Sequence, residues 1–287
     1  MKPALWIQGA RPRTLGAAVS PVLVGTAVAS RYGTVVWWRA LLALVVALAL
    51  QVGVNYANDY SDGVRGVDLE RKGPLRLTAS GLAPAASVKR AAFLAFAVAA
   101  AAGLVLAVAV DLRLILVGIA AIGAAALYSG GPRPYASVGL GEVSVLVFFG
   151  LVATCGSAYV QLERVPWLGV GGAVTVGLLA CAILVVNNLR DVESDAVAGK
   201  RTLAVRIGAA ATRSLYTAAV AGGLAVPLAL APAAPGALLA LAAVPLAAGP
   251  VRTVATRRDP RSLVAALVAT ARLQLVVSVL LAVGLWL

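Results

Sequence analysis

Two short segments hold the residues best suited to chemistry: Asn58 and Asp62 in NDYSDGVRGVD, and Asn187, Asp191 and Asp195 in NNLRDVESD. Within each segment these residues recur every fourth position, a spacing that puts them on one face if the segment is helical. The chain has only 11 acids among 287 residues, and seven of them, Asp59, Asp62, Asp68, Glu70, Asp191, Glu193 and Asp195, fall in the two loops that hold these segments. Two acidic walls that face a common space repel one another unless a cation lies between them. Bases accompany both: Arg65, Arg71, Lys72 and Arg76 follow the first motif, Lys200 and Arg201 the second. Mg²⁺ takes oxygen ligands, keeps several waters and is commonly shared between one or two carboxylates and a substrate phosphate. Acids that hold the metal beside bases that hold phosphate are the two halves of a metal-diphosphate clamp. The plainer account, solvated charges at the ends of apolar segments, suffices for Lys89, Arg90, Arg213, Arg257, Arg258 and Arg261. It leaves the acids unexplained, because Asp and Glu contribute little to membrane topology.

The elements that carry these motifs are apolar. The chain is 61% hydrophobic and 12% charged, with a mean hydropathy of +0.95, well outside the range of a soluble domain. Nine runs are long enough to be read as membrane spans: 15–30, 40–57, 90–110, 112–128, 138–160, 167–186, 212–230, 235–251 and 262–287. The expected fold is an all-α, polytopic bundle of nine transmembrane helices. The motifs follow the second and sixth runs, so they are four runs apart, and Asp62 and Asp191 are separated by 129 residues. This reads as a four-helix unit used twice, in one domain over 1–287, with the ninth helix added.

Of the 24 Lys and Arg residues, 19 lie on the side of the N-terminus and four on the other, with Arg272 inside the last run. By the positive-inside rule the N-terminus and both motifs face the cytoplasm and the C-terminus faces outward, in a multi-pass protein of the cell membrane. Arg272 is expected to pair within the bundle. The five Trp residues, Trp6, Trp37, Trp38, Trp167 and Trp286, fall at or near run ends, where interfacial aromatics belong. A net charge of +13 spread along one membrane face suits anionic lipid head groups and an anionic substrate rather than nucleic acid. There is no His, which excludes a His general base, His-ligated haem and His zinc sites. Cys155 and Cys181 sit inside apolar runs and read as packing residues. The first run, preceded by Arg11 and Arg13 and ending in AVAS, has the outline of a secretory leader. The flanking WIQGARPRTL reads instead as an interfacial helix that enters a retained first span.

Taken together, NDYSDGVRGVD (58–68) and DVESDAVAGKRT (191–202) resemble the UbiA superfamily of intramembrane prenyltransferases. The resemblance extends in order through GARPRTL (9–15), GPLRLTASG (73–81), YSGGPRPYASVGLGE (128–142) and NNLRD (187–191). The superfamily's first motif is commonly N-D-x-x-D-x-x-x-D, which would put its last acid at position 66. This chain has Gly66 and carries the acid at Asp68, a shift resembling the branch that prenylates 1,4-dihydroxy-2-naphthoate. The resemblance implies a helical bundle around a central cavity, open to the cytoplasm and sideways to lipid. It implies Mg²⁺ as cofactor, and polyprenyl diphosphate and 1,4-dihydroxy-2-naphthoate as substrates, joined with loss of CO₂ and diphosphate in the demethylmenaquinone-forming step. On this reading Asn58, Asp59, Asp62, Asp68, Asp191 and Asp195 are candidate metal ligands, with Asp62, Asp191, Asp195 and Arg133 the catalytic set. Arg65, Lys72, Lys200 and Arg201 are candidates for the diphosphate, and Tyr128, Asn188 and Glu142 for substrate contact. An ionised Glu142 near mid-bilayer would cost about 3 kcal/mol, so it is expected near the cytoplasmic end, contacting the acceptor or capping its helix. Gly130, Gly131, Pro132 and Pro134 break the chain after the fourth run, as a plain turn or as a lip over the cavity. Competing readings are prenylation of another ring such as 4-hydroxybenzoate, and a secondary transporter. Transporter sites cluster near the midplane rather than at span ends, which disfavours the second.

Overall fold

The computed structural model describes residues 3–66, 76–131 and 134–287, and among these every regular element is helical. A short α1 (Pro3–Gly9) and a 3-10 turn (Pro12–Thr14) lead into α2 (Gly16–Tyr32), followed by α3 (Trp37–Val64), α4 (Ala85–Ala109) and α5 (Leu114–Ser129). After a 3-10 turn (Tyr135–Val138), α6 (Gly141–Val145), a π-helical stretch (Leu146–Val152) and α7 (Ala153–Leu162) run on as one span. Then come α8 (Trp167–Arg190), the short α9 (Val192–Val197) and α10 (Leu203–Leu230). A 3-10 stretch (Pro235–Ala243) continuing into α11 (Val244–Thr256), and α12 (Pro260–Trp286), complete the chain.

Seven of the described helices or helix runs are long and apolar enough to cross a membrane. The other two expected spans fall on shorter helices: α2, which is bent by 53° from the Pro3–Thr14 segment, and the 16-residue α5. The bend sets the Pro3–Thr14 segment, which holds most of WIQGARPRTL, at an angle to α2. The surface carries exposed Phe93, Leu94, Val108, Leu116 and Ile119, apolar side chains that belong in lipid, as expected of an integral membrane protein. Arg272, expected to pair inside the bundle, instead lies on the exposed face of α12.

Helix length explains where the motifs end up. At 1.5 Å per residue, the 28 residues of α3 extend about 42 Å, more than the roughly 30 Å of a hydrocarbon core. With Trp37 at one interface, the last two turns of α3 project past the apolar layer and carry Asn58 and Asp62 to head-group depth. The 24 residues of α8, from Trp167 to Arg190, extend about 36 Å, so its last turn, with Asn187, passes the same thickness.

Packing divides the bundle in two. Parts of α2, α7, α8, α10, α11 and α12 share a continuous core that includes Val24, Val28, Val176, Leu179, Tyr216, Leu273 and Leu281. On the other side α3 and α4 pack closely against each other, and α5 completes a wall in which it buries only Ser129. Lipid tails are as apolar as Leu, so helices in a membrane are held by close approach rather than by hydrophobic transfer. The tightest example is Gly236 against Gly284, where a Cβ on either residue would enter the other's backbone. A second glycine has a conformational role: Gly208, at φ 77° and ψ 165°, interrupts α10.

Gly284→Ala is therefore expected to lower the thermal midpoint of the solubilised protein by several degrees, since overpacking costs about 1–3 kcal/mol. Gly249→Ala, in α11 with nothing within 4 Å of its would-be Cβ, should leave the midpoint unchanged or raise it, as alanine is the better helix former. The two midpoints measured side by side check the contact.

Candidate active site

Between the two halves lies a chamber of about 850 Å³, lined by α3, α4 and α5 on one side and by α2, the α6–α7 span, α8 and α12 on the other, near the top of the roughly 300–1,000 Å³ common for ligand pockets. Its walls are apolar for most of their extent, with Val46, Leu50, Leu104, Ile115, Phe148 and Phe149 among the side chains that face it. At one end it meets a small polar pocket of about 70 Å³. Arg11, Asn58, Arg76, Tyr128 and Asn187 line both spaces and so mark the boundary between them.

Both motifs reach this pocket. Because α3 stays helical to Val64, Asn58 and Asp62 share one face and both line the pocket. The second motif is less regular: α8 ends at Arg190, Asp191 leaves helical geometry, and α9 begins at Val192. The hydrogen bond from the Asp195 N–H to the Asp191 carbonyl, at 2.8 Å, preserves the one-turn stagger. Asn187, Asp191 and Asp195 therefore still line the pocket together.

The charges interlock. Lys200 Nζ lies 3.1 Å from Asp62 Oδ1 and 3.9 Å from Asp195 Oδ1, so a single ammonium spans the two motifs. Arg76 approaches the other oxygen of Asp62 at 3.8 Å. Arg190 holds Asp191 through both carboxylate oxygens, at 2.7 and 2.6 Å, and donates to Asn187 Oδ1 at 3.0 Å. Three buried acids thus meet several bases at the end of an apolar chamber. This arrangement can receive a strongly anionic head group on an apolar tail.

The remaining candidates separate. Asp59 is buried but faces away from the pocket, and its two oxygens accept from the backbone amides of Leu77 and Thr78 at 2.7 and 2.9 Å. It pins the returning chain against α3. Arg65 and Arg201 are exposed and do not line the pocket. Arg65 donates to the Gly131 carbonyl, and the Arg201 N–H donates to the Ser137 carbonyl at 2.7 Å. With Ser61 donating to the Ser129 carbonyl at 2.6 Å, these bonds fasten the α5–α6 turn to both motifs. Tyr128 and Asn188 line the pocket, and Glu142, which is buried, accepts from Asn188 at 2.9 Å. Glu193 is exposed. Asp68, Lys72 and Arg133 lie outside the described residues.

Arg11 and Arg190 were missing from the candidate set, and Arg76 was named only as a base following the first motif; Arg11 and Arg76 line the polar pocket and Arg190 the chamber. Each stands inside a motif quoted above, but a base at a span end looks the same in sequence whether it serves topology or a site. Arg11 is held with unusual backbone geometry, φ 58° and ψ 61°, which is uncommon for a residue with a Cβ. Thr14 donates to its carbonyl through both N–H and hydroxyl, and the neighbouring Ala10 carbonyl is bound by Asn55 at 2.9 Å.

An apolar chamber inside a helical membrane bundle, closed at one end by facing acids and bases, defines a membrane-embedded protein for anionic amphiphiles. The chain belongs to the UbiA prenyltransferase family, whose model matches residues 18–277. It is 53% identical over 255 residues to the 1,4-dihydroxy-2-naphthoate octaprenyltransferase of Mycobacterium tuberculosis, covering 87% of each chain. It is 40% identical to the protein of the same name from Escherichia coli, covering 76% of this chain and 73% of that one. Its fold matches a UbiA homologue from Archaeoglobus fulgidus, solved with GPP and Mg²⁺ bound, at a TM-score of 0.69 and 14% identity, over 96% of this chain and 99% of that one. A UbiA homologue from Aeropyrum pernix matches at the same TM-score and 17% identity, over 94% and 96%.

Asp59→Ala should destabilise the protein by about 3 kcal/mol, because two buried amides lose a charged acceptor. Asp59→Asn should fall between the two, since one of its positions would set an NH₂ against an N–H. Thermal unfolding of the three proteins measures the order.

Proposed function

We propose that the protein transfers a polyprenyl group from polyprenyl diphosphate to 1,4-dihydroxy-2-naphthoate, with loss of CO₂ and diphosphate, in menaquinone biosynthesis. The observation that carries the reading is the meeting of Asp62 and Asp195, from opposite motifs, around Lys200 at the mouth of the apolar chamber. The acceptor is supported by the naphthoate prenyltransferases among the relatives. The prenyl tail lies in the chamber, where it exchanges lipid-like surroundings for Val, Leu, Ile and Phe walls. Its diphosphate enters the polar pocket, where Arg11, Arg76 and Lys200 neutralise the departing charge. The apolar walls exclude water that would capture an allylic cation before the ring does.

The donor set suits a hard divalent ion. Carboxylates of Asp62 and Asp195 already flank one cationic centre, with the amides of Asn58 and Asn187 on the same pocket wall. Among the described residues no three or more of Asp, Glu, Cys and His are grouped to hold a metal ion by themselves, so Mg²⁺ would take part of its shell from water and substrate phosphate. When bound, Mg²⁺ would supply charge stabilisation to the leaving diphosphate. Asn58, Asp62, Asp191 and Asp195 are the residues of this chain that would hold it, directly or through water. Lys200 would then turn from the acids to the phosphate, and Tyr128 and Asn188 would meet the acceptor. Arg133, Lys72 and Asp68 keep the roles implied by their motifs. The distribution of Lys and Arg supports a cytoplasmic N-terminus and site with the C-terminus outside. Arrival of α3 and α8 at one pocket supports one domain built from two four-helix units and a ninth helix.

The test is turnover by the purified chain in lipid bilayers with polyprenyl diphosphate, 1,4-dihydroxy-2-naphthoate and Mg²⁺. Asp62→Ala and Asp195→Ala are expected to lower kcat/KM on the order of 10²-fold or more, and chelation of Mg²⁺ to abolish product. Full turnover in both variants would remove the pocket from the mechanism. Absence of product with every aromatic acceptor would remove the function.

A further inference from the structure

Glu142 is a carboxylate in the first turn of a span, where ionisable groups are expensive and are kept for a reason. It is 8% exposed, lines neither the chamber nor the polar pocket, and one of its oxygens, Oε2, has no hydrogen-bond partner. The N-cap of α6 is Leu140, which makes no side-chain cap bond, and the backbone group that faces the Glu142 carboxylate is its own N–H. Its contact with another helix is with Asn188: Nδ2 of the amide donates to Glu142 Oε1 at 2.9 Å. Cys181 Sγ donates to the Glu142 backbone carbonyl at 3.2 Å, which fastens this turn of α6 to α8. Asn188 itself does line the pocket, beside Tyr128, Asp62 and Asp191.

An amide has a donor end and an acceptor end, and a carboxylate oxygen selects the donor. Glu142 therefore fixes which way Asn188 is turned. With the NH₂ drawn toward α6, the carbonyl Oδ1 is left for the pocket. A neutral acceptor oxygen there has nothing to offer a diphosphate or a carboxylate, both of which bring only acceptors. Its complement is a hydroxyl.

We infer that Asn188 Oδ1 accepts a hydrogen bond from a phenolic hydroxyl of the aromatic acceptor, and that Glu142 is the positioning residue that holds the amide in this sense. The inference rests on the proposed aromatic prenyl transfer and deepens it by naming the feature of the acceptor that is read. The bond also helps the reaction. A ring that attacks the allylic carbon acquires positive charge, its hydroxyl becomes more acidic, and a bond to a fixed acceptor strengthens on the way to the transition state. Tyr128 closes the other side: its ring meets Tyr135 edge-on at 5.6 Å, and the Tyr135 hydroxyl is held by the Ala124 carbonyl and Ser144 Oγ at 2.8 and 2.9 Å. A flat acceptor is thus given one aromatic wall and one hydroxyl contact.

The experiment measures KM for the naphthoate and for polyprenyl diphosphate separately, with the full chain in bilayers, for the wild type, Glu142→Met, Glu142→Gln and Asn188→Ala. Glu142→Met keeps the side-chain length and removes the acceptor for Asn188. It should raise the naphthoate KM about ten-fold, in line with loss of one fixed hydrogen bond, with the polyprenyl diphosphate KM and the Mg²⁺ requirement changed less than about two-fold. Glu142→Gln still offers a carbonyl to Asn188 and should stay close to the wild type. The wild-type preference for the hydroxylated ring over its mono-methyl ethers should collapse in Glu142→Met. If that variant does not fold, Asn188→Ala must show the same split between substrates. An unchanged naphthoate KM, equal rises in both KM values, or a rise confined to diphosphate or Mg²⁺ would overturn the inference, the last by assigning the oxygen to the metal-diphosphate side. A wild type without turnover would instead sink the proposed function, so the two failures are distinguishable.

Discussion

Carboxylates brought together at the rim of a low-dielectric chamber need counter-charge, and the local structure around both motifs is built to provide it. Asp62 draws on Lys200 and Arg76, Asp195 on Lys200, and Asp191 on Arg190. None of these bases is adjacent in sequence to the acid it serves except Arg190. Lys200 arrives because α9 ends after one and a half turns, Gly199 adopts a positive φ of 72°, and Thr202 caps α10 by accepting from the Val205 N–H. Removing one member of such a buried set leaves the others uncompensated, which is far more costly than never having formed the pair. Binding of a cation and a polyanion can exchange these partners without creating an unbalanced charge at any stage.

The division of the bundle separates the two motifs. α3, which carries the first motif, is the least buried of the seven long spans, and α8, which carries the second, is the most deeply buried. It packs into the dense half through Val176, Leu179, Val185 and Val186. The apolar tail needs room rather than rigidity. On that side α5 has almost no buried residues, so its inner face lines the chamber and its outer face is left to lipid. Between the halves the described residues Ser129, Gly131 and Ser137 of the α5–α6 connection are tied by Ser61, Arg65 and Arg201.

Much of this was open to reading from the sequence alone, for a definite reason. Whether a stretch of chain belongs in lipid depends on its own side chains, so the apolar runs stood out, and only α2 and α5 came out shorter than a full span. Whether Asn58 and Asp62 share a face depends on helical pitch, also a local property. The bases were harder. Arg76 and Arg190 carry the same charge at the same kind of position as Arg90 or Arg257, and only the folded chain separates those that turn inward. Arg272 shows the reverse: its place in an apolar run suggested a buried partner, and the rotation of α12 set it outside.

Composition and short-range spacing therefore determined that the chain is a helical membrane protein with two acidic motifs at the ends of its spans. The tertiary structure alone decided that Asp62 faces the pocket while Asp59, three residues earlier, holds the amides of Leu77 and Thr78, and that Lys200 stands between Asp62 and Asp195. Periodicity is a property of a few consecutive residues, whereas the partner of a charge is selected by segments that meet only when the helices pack, as Lys200 and Asp62 do across 138 residues.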